Sequence, residues 1–125
     1  MPGVLNSFIT GGGGGGGGAL SVYISPTLDP LETYNPNPSG SDNVILYAVV
    51  SGGTPPYTYA WSRITSPDGI TPGATNNNSV TLSAIGDGSP VNTDQETWQI
   101  EVTDSALAIA TDNVDVRFYF GLEPP

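Results

Sequence analysis

From Ala19 to Phe120, hydrophobic and polar residues alternate in short runs rich in Val, Ile, Thr and Tyr, and the runs are separated by Gly, Pro, Asn, Asp and Ser. Alternation at every second residue, bounded by turn formers, predicts β-strands, and no helical period is sustained over the length of a globular helix. In "ALSVYIS", Leu20, Val22 and Ile24 form one apolar set against Ser21, Tyr23 and Ser25. Pro26 and Pro30 end that strand, because proline donates nothing to a ladder. The following "LETYNPNPSGSD" (residues 31–42) is expected to be a loop on its Asn-Pro pairs, Ser and Gly. "NVILYAVV" is apolar on both faces: Val44, Leu46, Ala48 and Val50 form one set, and Ile45, Tyr47 and Val49 the other. One set must enter the core, and the other needs a cover.

"SGGTPP" turns the chain into "YTYAWS", whose Tyr57, Tyr59 and Trp61 are assigned to the core. "SPDGITPGATNNN" reads as a long connection with a short edge strand at Ile70. "SVTLSAI" places Val80, Leu82 and Ala84 on one face, "GDGSPVNTD" is a turn, and "TWQIEVTD" directs Trp98, Ile100 and Val102 inward. In the last run Val114, Val116, Phe118 and Phe120 alternate with Asp115, Arg117 and Tyr119. The prediction is an all-β, two-sheet antiparallel sandwich of about seven strands over residues 19–121, with a short tail at 122–125.

What precedes the sandwich differs in character. Residues 11–18 are eight uninterrupted glycines, a polyglycine arm, and residues 1–10, "MPGVLNSFIT", form an apolar peptide. Glycine has no side chain to bury and much backbone entropy to lose, so the arm is expected to be a tether, its ends on the order of 16 Å apart as coil and about 25 Å as an extended threefold helix. Val4, Leu5, Phe8 and Ile9 are spaced to share a helical face or to serve an extended strand, yet ten residues cannot bury them alone. Either the segment folds back and covers Ile45, Tyr47 and Val49, or it docks into a partner protein. The spacer favours docking, with Gly11 and Gly18 bounding the arm. Beginning at Met1, the chain is expected to be a complete small gene product.

Composition narrows the chemistry. Twelve acids face only Arg63 and Arg117, giving a net charge of −10, with no lysine or histidine. Two arginines leave almost nothing to neutralise nucleic-acid phosphates, so no nucleic-acid partner is expected. Without His or Cys, Ser-His-Asp and Cys-His catalysis are impossible, and no disulfide or thiolate metal site can form. No stretch approaches a membrane span, and the N-terminus lacks the basic start of a secretory signal. The glycine run lacks the Lys-Ser/Thr ending of a phosphate loop.

"SGGTPPYTYAWS", together with "TWQIEVTDSALAIATDNVDV", resembles the PKD-like and SprB-repeat group of immunoglobulin-like domains. The matching positions are Gly52, Gly53, Pro55, Pro56, Tyr57, Tyr59 and Trp61, then Val102, Thr103 and Asp104. Each also has a physical reason: the prolines set an abrupt strand entry, Trp61 fills the space between sheets about 10 Å apart, and Asp104 can bond its own turn. Trp98 stands where that group usually has tyrosine, so the hydroxyl bond of a tyrosine corner should be missing and the indole must find another acceptor. The resemblance implies a spacer or adhesion module of bacterial surface proteins or bacteriophage virions. The glycine run is also similar to those of phage adhesins, whose polyglycine helices bundle; symmetric copies in a homo-oligomer would supply the partners here.

The expected function is therefore a non-enzymatic bacteriophage structural protein, a tail or capsid accessory (decoration) protein located in the virion. Its N-terminus would anchor it to other virion structural proteins. The alternative is an extracellular adhesion or carbohydrate-binding module that contacts a host-surface glycan through loops around Tyr34, Asn76, Asn77, Asn78 and Asp87. Tyr34, Ile45, Tyr47, Val49 and Asn77 are the candidate surface contacts. No catalytic residue and no cofactor is expected. Calcium is the single ion to weigh, since Asp42, Asp104 and Asp112 could meet at one end of a sandwich, but turn-capping is the commoner use of such aspartates.

Overall fold

The computed structural model describes residues 18–121 and contains eight strands in two sheets. In chain order they are β1 (Ser21–Ser25), β2 (Leu31–Asn35), β3 (Ser41–Ser51), β4 (Thr58–Arg63), β5 (Thr71–Pro72), β6 (Ser79–Ile85), β7 (Val91–Thr103) and β8 (Ile109–Gly121). One sheet has the order β1-β3-β6-β5 and the other β2-β8-β7-β4. The apolar decapeptide with its Val4, Leu5, Phe8 and Ile9, the glycines from Gly11 to Gly17, and the tail lie outside the described residues.

Alternation decides what is buried. Val22 and Ile24, Leu46, Val80 and Leu82, Trp61, Trp98 and Ile100, and Val114, Val116, Phe118 and Phe120 all enter one core between the sheets. Phe118 and Phe120 stack nearly parallel, with ring centroids 6.4 Å apart. Tyr57 and Tyr59 are half-buried at its margin, and the Tyr57 hydroxyl donates to the Gly52 carbonyl at 2.7 Å.

Two sequence expectations change. Residues 31–35, expected to open a loop, form β2 and pair in parallel with β8, Leu31 opposite Val116 and Asn35 opposite Phe120. The parallel neighbour supplies backbone partners to a segment too short and polar to declare itself, and Leu31 fixes its facing by burial. The second change is at "GDGSPVNTD": β7 already begins at Val91, since β8 is long enough to carry the ladder to Val91 opposite Gly121.

The sheet margins offer little backbone to a further strand. β5 is two residues and includes Pro72. β2 is bracketed by Pro30 and Pro36, the Trp61 amide at the β4 edge is taken by the Thr75 carbonyl, and the Ile24 amide of β1 by Asp112. Short, proline-bounded or covered edges suppress edge-to-edge association.

Two turns hold unusual backbone. In the β7–β8 turn the Asp104 carboxylate accepts from the Ala106 and Ala108 amides and from the Thr54 amide, which fixes Leu107 at φ 70. At the opposite end Gly86 donates to Gly40, and a Cβ there would strike the Pro38 carbonyl. Leu107→Gly should gain about 1 kcal/mol by relieving a left-handed leucine. Gly86→Ala should lose about 2 kcal/mol. Urea midpoints of the two variants, moving in opposite directions, are the check.

Candidate functional site

Two regions concentrate polar chemistry or unpartnered apolar surface: a buried carboxylate in the core, and the outer face of the β1-β3-β6-β5 sheet.

The buried carboxylate is Glu96. It shares parity with Trp98 and Ile100 on β7 and is 1 % exposed. Its Oε1 accepts from the Arg63 guanidinium at 2.8 Å and from the Trp98 indole at 2.9 Å, while Oε2 accepts from the Asp68 and Ile70 amides at 2.6 and 3.2 Å. Arg63 also donates to the Ile70 carbonyl and lies over the Trp98 ring, 5.1 Å from its centroid. The acceptor that Trp98 was expected to need is therefore this acid. Burial pushes the Glu96 carboxyl up, but Arg63, the two amides and the indole outweigh it and hold the group below the usual carboxylate range. Its oxygens are spent on structure. Parity with Trp98 and Ile100 is the signal available in the sequence, but Glu96 falls between the turn expected over residues 86–94 and the strand expected from Thr97.

Asp94, two residues earlier on the same face, behaves in the opposite way. Its carboxyl lies against Gly69, where a Cβ would meet it at 2.8 Å. Burial first, then the charges of Asp68, Asp87 and Glu96, push its pKa up to about 6. Asp104 is held low by the Thr54 and Ala108 amides, and Asp112 is pushed up by burial despite its bond from the Ile24 amide.

The aspartates suggested as a calcium set do not converge. Asp104 caps the turn beside Thr54, just past the end of β3, whereas Asp42 sits at the start of that strand, about 30 Å away at roughly 3.3 Å per residue. Among the described residues no three His, Cys, Asp or Glu side chains form a metal-holding group.

The surface contacts named from sequence divide in the same way. Ile45, Tyr47 and Val49 share the outer face of β3 and are 42 %, 48 % and 37 % exposed. In register, Val49 lies opposite Tyr23, Ile45 opposite Thr81, and Tyr47 between Ser25 and Ser79, which sets Tyr23 and Tyr47 diagonally on neighbouring strands. Around this apolar centre stand Ser21, Ser51, Asn43, Ser83 and Thr71. Every outward position of this sheet is uncharged. The outer face of the other sheet, by contrast, carries Glu32, Glu101, Asp115 and Arg117, with Arg117 and the Tyr119 hydroxyl both donating to Glu32.

The loop positions do not form one site. Tyr34 is on β2 in the charged sheet, its hydroxyl bonded to the Gly121 carbonyl. Asn76, Asn77 and Asn78 precede β6 while Asp87 follows it, so the strand separates them. Asn77 uses its carbonyl to accept from the Trp61 indole at 2.9 Å. Gly18 lies at the mouth of the N-terminal arm, its carbonyl accepting from the Gly53 amide at 3.0 Å.

Two four-stranded sheets packed face to face, with a buried tryptophan on β4, form an immunoglobulin-like β-sandwich. No protein-family model and no curated relative matches the chain. Among solved structures it is similar to the PKD domain from KIAA 1837 protein, at 18 % identity and TM-score 0.56, covering 92 % of this chain and 98 % of that one. It is also similar to PapD-like domain 7 of human CEP192, at 7 % identity and TM-score 0.57, covering 98 % and 97 %. A third likeness, at 10 % identity and TM-score 0.52, is to a nucleoside hydrolase-related protein from Saccharophagus degradans; it covers 83 % of this chain and 25 % of that one. At these identities the likeness is one of fold.

Glu96→Ala strands a guanidinium, two amides and an indole, and should cost on the order of 3 kcal/mol or more in urea unfolding. Asp94 binds its proton more tightly folded than unfolded, so it favours the folded state below its unfolded pKa, and that advantage is lost as pH rises from about 4 to about 6. Asp94→Asn should therefore stabilise the protein at about pH 7.5, and the gain should vanish near pH 4, as read from urea midpoints across that range.

Proposed function

We propose that this chain is a non-enzymatic display domain, an Ig-like sandwich held by its N-terminal arm and presenting the uncharged outer face of β1, β3, β6 and β5 to a partner. The segregation of charge carries the reading. A soluble surface ordinarily intersperses charges, and a chain of net charge −10 has acids to spare. Here one sheet face holds none, and its centre is Tyr23, Ile45, Tyr47 and Val49 within Ser, Thr and Asn. Tyrosine with small hydroxyl residues gives a rigid, half-apolar contact area at low entropy cost, the composition of recognition surfaces. The non-enzymatic reading is supported by the buried acids: Glu96, Asp104 and Asp112 all accept hydrogen bonds from the fold's own amides.

The setting in this proposal is a virion, with the chain as a bacteriophage tail or capsid accessory protein. Support for it is in the sequence: an apolar decapeptide on eight glycines suits a plug and tether that fasten a domain to other structural proteins, in several copies. The second reading, an extracellular adhesion or carbohydrate-binding module, is favoured by the diagonal Tyr23 and Tyr47 flanked by hydroxyls, which offer a neutral glycan both stacking surface and hydrogen bonds.

Co-sedimentation of the full chain with the particles or cells of its source tests both. The paired substitution Leu5→Asp/Phe8→Asp should abolish anchoring into a particle, and Ile45→Asp/Tyr47→Asp should abolish recognition by the face. Because that face is uncharged, its binding should change less than about twofold between low and high salt. Retention of both variants would overturn the display reading, and a steep loss of face binding with salt would move recognition to the charged sheet.

A further inference from the structure

Among the described residues nothing covers the outer face of β1, β3 and β6, and the sequence holds an apolar segment too short to bury its own side chains. The described chain begins at Gly18, whose bond to the Gly53 amide continues the β1–β3 ladder beyond Ser21 opposite Ser51. The arm therefore starts in line with the strand that carries Tyr23, at the Val49 end of the uncharged face. From Gly18 to the level of Tyr23 and Val49 is five residues of strand, about 16 Å. The seven glycines before Gly18 span about 15 Å as coil and about 22 Å extended, so the far end of the run reaches that level. Attached there are Val4, Leu5, Phe8 and Ile9, with no charged residue among positions 1–17.

We propose that in the free chain residues 4–9 lie on this face in cis, with Val4, Leu5, Phe8 and Ile9 against Tyr23, Ile45, Tyr47 and Val49. Charge matches, neutral segment on neutral face. Pairing to a sheet edge is the competing mode, and the edges are poorly suited to it: Asp112 takes the Ile24 amide, Thr75 takes the Trp61 amide, and β5 is two residues long. A short tether puts the segment at millimolar effective concentration over the face, ahead of a second copy at ordinary protein concentrations. The glycines serve the return path, since a chain reversing over a sheet needs backbone without side-chain obstruction. The inference concerns the free chain and does not depend on what the display domain binds; its consequence is that arm and face become available together.

The chain has no cysteine, so Ser7→Cys in the full-length protein takes a single nitroxide label. With isotope-labelled protein, the amide signals of Tyr23, Ile45, Tyr47 and Val49 should lose more than about half their intensity relative to the reduced label, while Glu101 and Thr111 on the opposite face keep theirs. The loss should persist on tenfold dilution, and Phe8→Asp/Ile9→Asp in the labelled chain should restore the signals. Unchanged face signals would overturn the proposal. Loss in a mixture of isotope-labelled unmodified chain with spin-labelled unenriched chain would overturn it in favour of a second copy. The co-sedimentation variants probe the bound state, so either result there leaves this one separately decided.

Discussion

A single buried carboxylate fixes one of the crossings between the two sheets, the one from β4 to β5. The chain leaves β4 in one sheet, runs through residues 64–70 and enters β5 in the other, and Glu96 of β7 holds that crossing at two of its amides, Asp68 and Ile70. The same carboxylate binds Arg63 at the end of β4 and the Trp98 indole, so strand, loop and core aromatic are fixed by one group. Ile70 follows into the core and is 3 % exposed. A buried ion pair adds little net stability over an apolar replacement, but losing one half leaves the other uncompensated. Glu96 thus works chiefly by position: it selects one path for the crossover.

Along β7 and the turn that closes it, the acids divide into those that receive donors and one that does not receive enough. Glu96 and Asp104 are held as carboxylates by amides aimed at them, whereas Asp94 is pressed against Gly69 beside other acids and its proton is retained toward neutrality. The contrast follows from where loop amides point, since each hydrogen bond to the charged form offsets part of its desolvation. The uncharged β1-β3-β6-β5 face combines tolerance of a neutral contact with protection from edge pairing, because the strand edges are short or covered.

Much of the fold was legible in the sequence. Alternation marked β1, β3, β4, β6 and β8 and assigned their buried sides, and the Gly-Gly-x-Pro-Pro-Tyr stretch with Val102-Thr103-Asp104 carried the Ig-like likeness. The uncovered set Ile45, Tyr47 and Val49 was also readable, since β3 is apolar on both faces and a two-sheet sandwich covers one. β2 was not readable. Its five residues hold one buried apolar side chain, and its pairing with β8 joins positions more than eighty residues apart. The proposed loop site around Tyr34, Asn77 and Asp87 and the calcium set failed to converge for the same reason: local turn chemistry does not say at which end of the sandwich a turn lies.

By itself, the sequence determined the period, the facing of each strand, the absence of nucleophile–histidine chemistry and the separation of an apolar arm from a β domain. These depend on residue type and spacing along one strand. The tertiary structure decided which strands are neighbours, that Glu96 finds four donors and Asp94 finds acids, and that one whole sheet face carries no charge. Those depend on register between distant segments, which is fixed only when burial of many side chains at once selects a single pairing.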